Sequence, residues 1–226
     1  MPTRGAVGTK QTLALVVTNR ARRAAGTVGH VAQREALFGA GHDAFDAGAP
    51  RAWCQSDYHR PVPTALVTGG AVRVGRAIVL ALLEAGYRVW VHAHTSTDAA
   101  RSLAADHPEG VAGVLVADLA DPATRSDVAA AVGEALDLLV NSAASYEKGA
   151  FESRSDADLR RVLELNLVAP LSLTRACLPA LRAAGGSVVN LVDLGARNPW
   201  VGYLDHCVSK AALEAATRAL AAELAP

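Results

Sequence analysis

Short apolar segments alternate with longer amphipathic segments from about residue 61 to the end of the chain. The short segments hold contiguous apolar residues, as strands buried on both faces of a parallel sheet do, and the long segments carry apolar residues at helical spacing. Strands that alternate with helices in this way form βαβ crossovers, so the chain is predicted to be a doubly wound α/β protein. The predicted strands are Thr64–Thr68, Arg88–Ala93, Gly113–Ala117, Leu138–Asn141 and Ser187–Val192, and the predicted helices are Gly75–Ala85, Asp98–Asp106, Ala123–Leu136, Ser155–Ala184 and Tyr203–Leu224.

Residues 1–60 lack this regular pattern and are rich in Ala, Gly and Arg, with no acidic residue before Glu35. A basic, acid-poor stretch is a feature of transit peptides, but the absence of serine before Ser56 favours a poorly ordered leader or extension. Within this stretch, Gln11–Val17 is compatible with a short strand and Val31–Phe38 with one or two helical turns. The predicted division is therefore an extension over residues 1–60 and a folded domain over residues 61–226.

Composition and charge narrow the class of protein. Apolar residues make up 51% of the chain, and Lys+Arg and Asp+Glu are equal at 22 each. A chain without net charge gives no electrostatic reason to bind nucleic acid or an anionic membrane, and no run of about 18 apolar residues is present to cross a bilayer. The three cysteines have neither metal-ligand nor disulfide spacing, so we predict no metal site and a reducing compartment, the cytoplasm.

A glycine-rich turn, Thr68–Gly75 (TGGAVRVG), follows the first predicted strand of the domain. Glycine lets the backbone turn tightly after a strand and approach a pyrophosphate closely, while the N–H groups at the start of the next helix point toward that phosphate. Because this cluster lies between a strand and a helix, as that function requires, the sequence favours dinucleotide binding over an ordinary turn.

Further motifs carry a resemblance to a known family. They are VTGGAVRVGRAI at Val67–Ile78, ADL at Ala117–Leu119, LVNSAAS at Leu139–Ser145, LNL at Leu165–Leu167, NLVD at Asn190–Asp193 and SKAALEAATRALAAELAP at Ser209–Pro226. In this order and spacing they resemble the short-chain dehydrogenase/reductase family. That resemblance implies a Rossmann-type fold and an oxidoreductase that uses a nicotinamide dinucleotide.

Within the family, the chain is most similar to the pteridine-reductase branch. An arginine stands at the third glycine position (Arg73), and strand two ends in the His-x-His-x-Ser pattern of His92–Ser96. An aspartate, Asp193, stands where most members have the catalytic serine, and an aromatic residue, Tyr146, follows the strand-four motif. This likeness implies reduction of a carbonyl or of a pterin-like C=N bond.

The resemblance also implies a set of cofactor-binding residues. Strand two ends without the acidic residue that would bind the ribose hydroxyls of NAD, and Arg73 is near enough to reach a phosphate, so NADP(H) is predicted and NAD(H) is disfavoured. Thr95 stands where this branch often has an arginine, which predicts a weaker hold on the 2′-phosphate. The alternative for His92 and His94 is that they are ordinary polar residues at a strand end. The implied cofactor-binding residues are Gly69, Arg73, Val74, Gly75, His94, Thr95, Ser96, Asp118, Leu119, Asn141, Ala143, Ser145 and Lys210.

Two residues are assigned to the substrate side. Tyr146 and Tyr203 match pocket residues of the branch, and Tyr146 is predicted to stack on a flat substrate, although a ring at that position would pack equally well in any loop.

Asn166 interrupts an apolar helix, where a polar side chain often accompanies a kink. The resemblance implies that Asn166 holds such a kink and a water path toward the catalytic lysine.

The catalytic pair departs from the family pattern. Members carry Tyr-x-x-x-Lys, in which the lysine favours the ionised phenol and the tyrosine passes the proton. Here Lys210 occupies the lysine position, but His206 stands four residues before it, and the nearest tyrosine is Tyr203. Imidazole exchanges protons near neutral pH, yet the positive charges of Lys210 and of an oxidised nicotinamide favour its neutral form, which is a poor acid. Pairing of His206 with Asp193 could offset this preference for the neutral ring. We therefore predict that proton transfer through His206 is slow or absent, or that the proton follows a water path through Asp193.

A second departure is the end of the chain at Pro226, where family members continue through a further strand, a substrate-covering loop and a last helix and strand. A C-terminally truncated domain is therefore expected, in which strand five becomes a sheet edge. Three hypotheses follow: an NADP(H)-dependent reductase, a nucleotide-binding protein without turnover, or a fragment of a longer enzyme. The resemblance also implies a homo-oligomer, a dimer or tetramer, that associates through the two long helices and acts on a small-molecule substrate.

Overall fold

A computed structural model describes residues 12–18 as backbone and residues 62–224 with their side chains. The strands are β1 (Thr12–Thr18), β2 (Thr64–Val67), β3 (Arg88–Ala93), β4 (Val111–Val116), β5 (Leu138–Asn141) and β6 (Ser187–Asp193). The helices are α1 (Arg73–Glu84), α2 (Thr97–Asp106), α3 (Pro122–Ala131), α4 (Asp156–Leu163), α5 (Ala169–Ala184) and α6 (Leu204–Leu224). The described elements confirm the predicted doubly wound α/β fold.

The six described strands form one sheet in the order β1-β6-β5-β2-β3-β4. Strands β2 to β6 are parallel to one another, and the order reverses direction between β2 and β5. In an open parallel sheet, the crevice for a ligand lies outside the carboxyl ends of the strands at such a reversal. The topology therefore places the candidate cleft beyond the ends of β2, β3 and β5.

The sheet is buried on both faces, as the contiguous apolar strands predicted. Consecutive residues of β2 belong to opposite sides, because Leu66 packs with Leu139 and Leu173 while Val67 packs with Val79 and Leu103. Side chains of a strand alternate between faces, so a run with no polar interruption requires helices on each side.

Strand β1 corrects the expectation that the fifth predicted strand, which is β6 in the structure, is a sheet edge. All seven residues of β1 pair antiparallel with β6, from Thr12 opposite Asp193 to Thr18 opposite Ser187. The sequence allowed a strand at Gln11–Val17, and the observed strand is shifted by one residue. Residues 1–11 and 19–61, including the helical turns considered at Val31–Phe38, lie outside the described residues.

Two predicted helices differ from those observed. The helix expected at Ala123–Leu136 ends at Ala131, because Gly133 adopts a left-handed conformation with φ of 83°. The helix expected at Ser155–Ala184 is divided into α4 and α5 by a π turn at Glu164–Val168. This π turn surrounds Asn166, where the sequence predicted a kink. The N-terminus of α4 is fixed by a capping box between Ser155 and Asp158.

No helix in the described part of the chain has the length and apolar character needed to span a membrane.

Candidate active site and dinucleotide cleft

A cleft of about 480 Å³ lies at the carboxyl ends of the parallel strands. Residues from every part of the predicted site meet in it, although they are far apart in sequence. Of the predicted residues, Gly69, Arg73, Val74, Gly75, His94, Thr95, Ser96, Asp118, Leu119, Ala143, Tyr146, Asp193, His206 and Lys210 line the cleft. Asn141, Ser145, Asn166 and Tyr203 do not line it.

The glycine-rich turn is packed so closely that it admits no side chain at Gly75. A Cβ atom there would lie 2.0 Å from the carbonyl oxygen of Gly69 and 3.0 Å from the Cα atom of Gly70. Gly69 itself has φ of 62°, and Arg73, the first residue of α1, has φ of 52°. This turn therefore brings the start of a 12-residue helix against the end of β2, in the geometry suited to a pyrophosphate.

His92 is buried beneath this turn rather than directed at a phosphate. It is 2% exposed, its Nδ1 atom lies 3.2 Å from the Gly69 nitrogen, and its Nε2 atom lies 3.1 Å from the Ala117 carbonyl oxygen. Since the Gly69 N–H donates, Nδ1 accepts, and the ring proton is on Nε2, which donates to Ala117. Burial lowers the pKa of His92 to about 4, so the ring is neutral near neutral pH.

We expect this buried imidazole to make the fold less stable in mildly acidic solution. The pKa of His92 is about 4 in the folded protein and about 6.5 in an unfolded chain. The unfolded chain therefore binds more protons between these values, so the contribution of His92 to the free energy of unfolding is full above about pH 6.5 and is lost as the pH falls toward 4. Urea unfolding of wild type and His92→Gln at pH 7 and pH 4.5 measures this. Equal pH dependence in the two proteins would contradict it.

The end of β3 contributes the polar group that is expected to bind the adenosine side of a dinucleotide. His94, Thr95 and Ser96 all line the cleft, and His94 Nε2 lies 4.0 Å from Asp118 Oδ2. Asp118 accepts a hydrogen bond from the backbone nitrogen of Ala120 at 3.0 Å, which shapes the turn after β4. The structure thus brings the ends of β3 and β4 together with Arg73 in one cavity.

Asn141, predicted to bind the cofactor, lies in the core and does not line the cleft. Its side-chain nitrogen donates to Asn190 Oδ1 at 2.8 Å, and the nitrogen of Asn190 donates to Thr217 Oγ1 at 2.9 Å, within the core. This buried chain of hydrogen bonds joins β5, β6 and α6. Asn190 and Thr217 were not predicted, and the signal that could have found them is a polar residue inside an apolar strand or on a buried helix face.

Asn166 connects the π turn to the loop after β5. Its Oδ1 atom accepts from the Ser145 nitrogen at 2.7 Å, and its Nδ2 atom donates to the Ser145 carbonyl oxygen and to Ser209 Oγ, each at 3.0 Å. Asn166 is fully buried, so these partners satisfy it. Ser145, predicted to contact the cofactor, thereby serves as the backbone partner of Asn166.

His206 is held between two oxygen acceptors. Its Nε2 atom lies 2.6 Å from Asp193 Oδ2, and its Nδ1 atom lies 3.1 Å from the Ser145 carbonyl oxygen. The pairing with Asp193 that the sequence allowed is present. Two acceptors are matched by a ring with a proton on each nitrogen. His206 is 4% exposed, so its orientation is fixed by these two contacts.

Asp193 and Lys210 complete the group. Burial opposes ionisation of Asp193, but the hydrogen bond and charge of His206, the charge of Lys210 and the N–H of Gly195 together hold its pKa below the ordinary value. Lys210 Nζ donates to the Leu191 carbonyl oxygen at 2.7 Å. Burial lowers the pKa of Lys210 to about 8, against the opposing charge of Asp193. The three side chains form a compact set of proton-exchanging groups at the end of β6 and the start of α6.

An aromatic wall borders this group. Tyr146 stacks on Tyr203 with ring centroids 4.5 Å apart, and its ring meets the His206 ring edge-on at 4.7 Å. Trp200 lies parallel to His206 at 6.3 Å and lines the cleft, but it belongs to no motif or spacing from which it could have been identified. Tyr203 supports Tyr146 from outside the cleft, so Tyr146 and Trp200 form the aromatic surface of the cleft itself.

Known proteins are similar to this chain in sequence and in fold. The family model described as short chain dehydrogenase matches residues 63–226. The short chain dehydrogenase asqE of Emericella nidulans is 33% identical over 176 residues, covering 72% of this chain and 65% of that protein. Pteridine reductase 1 of Leishmania tarentolae is 32% identical over 207 residues, covering 72% of each chain.

Solved structures agree. A short-chain dehydrogenase from Streptomyces avermitilis superposes with a TM-score of 0.66 at 33% identity, covering 74% of this chain and 62% of that one. A short chain dehydrogenase from Burkholderia cenocepacia in complex with NADP superposes with a TM-score of 0.62 at 28% identity, covering 72% and 68%. The chain spans a little under two thirds of the length of two curated relatives, asqE and the short chain dehydrogenase penD of Penicillium thymicola. With these matches and this topology, the chain belongs to the short-chain dehydrogenase/reductase family.

Proposed function

We propose that this chain binds NADP(H) and that its site supports hydride transfer between the nicotinamide and a small molecule with a carbonyl or a pterin-like C=N bond. The observation that carries the proposal is the contact of 2.6 Å between His206 Nε2 and Asp193 Oδ2, in the cleft that Lys210 also lines. It places proton-exchanging groups at the end of a cleft that begins at a glycine-rich turn.

The residues present fit a dinucleotide. The cradle between Gly69 and Gly75 is one that a Cβ atom would fill, which leaves backbone N–H groups of the first turn of α1 to meet a phosphate. Leu119 and Asp118 would lie beside the adenine, and Ala143 beside the ribose and nicotinamide. Bound there, the dinucleotide supplies the hydride.

NADP(H) is proposed over NAD(H) on the chemistry of the β3 end. His94, Thr95 and Ser96 offer ring nitrogens, hydroxyls and backbone N–H groups, with no acid to repel a 2′-phosphate. Arg73 lines the same part of the cleft. Structural neighbours from Burkholderia cenocepacia and Pseudomonas aeruginosa were solved with NADP, which supports the same preference.

Arg73→Ala is therefore expected to weaken NADPH binding while leaving NADH binding nearly unchanged. A single charge-assisted contact to a phosphate contributes about 1.5–3 kcal/mol, which corresponds to roughly a 10–100-fold loss of affinity. Fluorescence titration of both cofactors measures the change, and Arg76→Ala, one turn along the same helix, is the control. Equal loss for NADH and NADPH, or tighter NADH binding by wild type, would contradict the preference.

The proposed catalytic roles follow from the contacts. Lys210 would hold the ribose and supply positive charge, Asn166 positions the loop after β5 through Ser145, and Asp193 faces the substrate with His206 behind it. Asp193 is ionised at rest, so the His206 Nε2–H would give its proton to the Asp193 carboxylate as that carboxyl passes one to the substrate, which leaves the proton deficit on the His206 ring. Tyr146 would support a flat substrate, with Tyr203 packed behind its ring.

The second candidate function is a dinucleotide-binding protein with impaired turnover. The observation that favours it is the same pair of contacts at His206, because giving up a proton leaves a ring nitrogen facing a carboxylate or carbonyl oxygen without a hydrogen bond. Titration with NADPH, followed by assays of NADPH oxidation with dihydropterins and simple dicarbonyls, separates the two. Binding with turnover supports the reductase, and binding without turnover supports the second candidate.

We also propose that the chain forms a homo-oligomer through the faces of α4, α5 and α6. Exposed apolar residues on these helical segments support it: Val168, Leu204 and Val208. Light scattering at micromolar concentration is expected to show a dimer or tetramer, and Val208→Glu is expected to shift it toward monomer. A wild-type monomer at that concentration would contradict the proposal.

The cytoplasm is the proposed compartment. Cys177 and Cys207 are free thiols in the described residues, and both are buried. Burial raises the pKa of Cys177 to about 12, which leaves it an unreactive thiol. Such cysteines suit a reducing environment.

A further inference from the structure

Three segments line the cleft on the β3–β4 side of the sheet, and one buried side chain connects them. The segments are the turn Thr68–Gly75, the end of β3, and Ala117–Leu119 after β4. His92 belongs to β3, accepts a hydrogen bond from the Gly69 nitrogen, and donates one to the Ala117 carbonyl oxygen. Its backbone carbonyl also accepts from the Gly70 nitrogen at 2.9 Å.

An imidazole is an unusual choice for this position on grounds of packing alone. Val91 and Ala93 point to the other face of the sheet, and His92 is itself 2% exposed, a degree of burial at which apolar side chains are the usual choice. A buried polar ring is costly unless its nitrogens are hydrogen-bonded, and here both nitrogens are bonded to backbone groups of the cleft. Without the ring, the Gly69 N–H and the Ala117 carbonyl would lose these partners.

The position of Gly69 matters because the start of α1 is packed against it. A Cβ atom added at Gly75 would lie only 2.0 Å from the Gly69 carbonyl oxygen, which shows how closely the two backbones pack. A displacement of Gly69 therefore displaces the helix start or opens a gap beside it. The segment after β4 is tied to β3 by Ala117 N–H donating to the Ala93 carbonyl oxygen at 3.1 Å. His92 thus sets the distance between the phosphate turn and the residues expected beside the adenine.

We propose that His92 is a positioning residue for the cofactor, whose neutral imidazole spaces the glycine-rich turn from the segment after β4 and so determines affinity for the adenosine half of NADP(H). The proposal rests on the dinucleotide site described under the proposed function. His92 acts through Gly69 and Ala117 and is not itself a phosphate ligand. The neutral form is required, because a proton on Nδ1 would oppose the Gly69 N–H. The titratable groups that act on it are His94 and Asp118.

The test uses the 226-residue chain and four proteins: wild type, His92→Phe, His92→Gln and Val89→Ala. Glutamine carries an acceptor and a donor in one amide and can replace both bonds, whereas phenylalanine fills the space without them. Val89→Ala removes a fully buried side chain from the same strand and is the control for lost packing. Affinity for NADPH and for 2′,5′-ADP, which carries only the adenosine half, is measured by titration at a temperature where each protein is folded.

His92→Phe is expected to weaken both ligands by about tenfold or more, because two buried backbone groups lose their partners. His92→Gln is expected to stay within about threefold of wild type, and Val89→Ala to lower the melting temperature while keeping affinity within about threefold. If His92→Phe does not fold, His92→Asn replaces it, since its shorter amide cannot span both partners.

The proposal is overturned if His92→Phe binds both ligands as wild type does, if His92→Gln is as weak as His92→Phe, or if Val89→Ala loses affinity equally. Wild type that binds neither NADPH nor 2′,5′-ADP would overturn the proposed function and this inference with it. Wild type that binds NADPH without turnover leaves the His92 test intact, because its readout is affinity.

Discussion

Replacing His206 with tyrosine is expected to raise the rate of NADPH oxidation rather than lower it. The phenol would stand one turn before Lys210, whose ammonium favours the phenolate, and beside Asp193. In wild type, both nitrogens of His206 are bonded to Asp193 and Ser145, so the ring has no free proton to give. A positioned general acid contributes roughly 10²–10⁴-fold to a rate, so the gain should be measurable with dihydropterins and simple dicarbonyls as substrates.

The double variant His206→Tyr/Lys210→Met is the control for this gain. If the new phenol works with Lys210, removing the ammonium should abolish the increase while His206→Tyr alone keeps it. A fast wild type that is slowed by His206→Tyr would show that His206 is an effective donor in this site. That result would contradict the proposal of an impaired proton donor and would leave the proposed NADP(H) site unaffected.

Gly75→Ala is expected to produce the largest loss of cofactor binding of any small substitution in the cleft. The added Cβ would lie 2.0 Å from the Gly69 carbonyl oxygen and 2.8 Å from its carbon, and backbone atoms cannot turn aside as a flexible side chain can. The turn must open to admit the methyl group, which moves the start of α1 away from the phosphate position. We expect NADPH affinity to fall by about 100-fold or more, together with a lower melting temperature.

Gly86→Ala is the matched control for Gly75→Ala. Gly86 has φ of 81°, but a Cβ there meets nothing within 4 Å, and the residue does not line the cleft. It should lose about 1 kcal/mol of stability through the left-handed backbone and leave NADPH affinity unchanged. Unaltered NADPH binding by Gly75→Ala would show that the turn is not the phosphate site.

The strands and the glycine-rich turn could be predicted because their signal is local. Runs such as that of β2 are apolar because both faces are covered, and the spacing of Gly69 and Gly75 reflects one tight turn. The end of α3 was not predicted, because the apolar pattern of the helix continues beyond Gly133. The boundary is marked only by the left-handed conformation of that glycine. An apolar period indicates which residues are buried and not where a helix stops.

The residues of the proposed catalytic end of the cleft were predicted, but their geometry was predicted only in part. Asp193, His206 and Lys210 were identified through the family pattern, while their contacts depend on how β6 and α6 meet. Trp200 carries no pattern of its own, and its position beside His206 arises from a loop that returns to α6. For His92 the sequence allows either a group near the cofactor phosphate or an ordinary polar residue at a strand end, and nothing in it shows that the two partners are Gly69 and Ala117.

The pairing of β1 with β6 imposes an order on the assembly of the sheet during synthesis. Thr12 pairs with Asp193, so the partner of the first strand emerges from the ribosome about 180 residues later. At 5–20 residues per second this delay is on the order of 10–40 s, during which residues 12–18 wait unpaired. The strand made first is therefore joined last, and the nascent chain carries an apolar strand edge that a chaperone or another chain can occupy until β6 is complete.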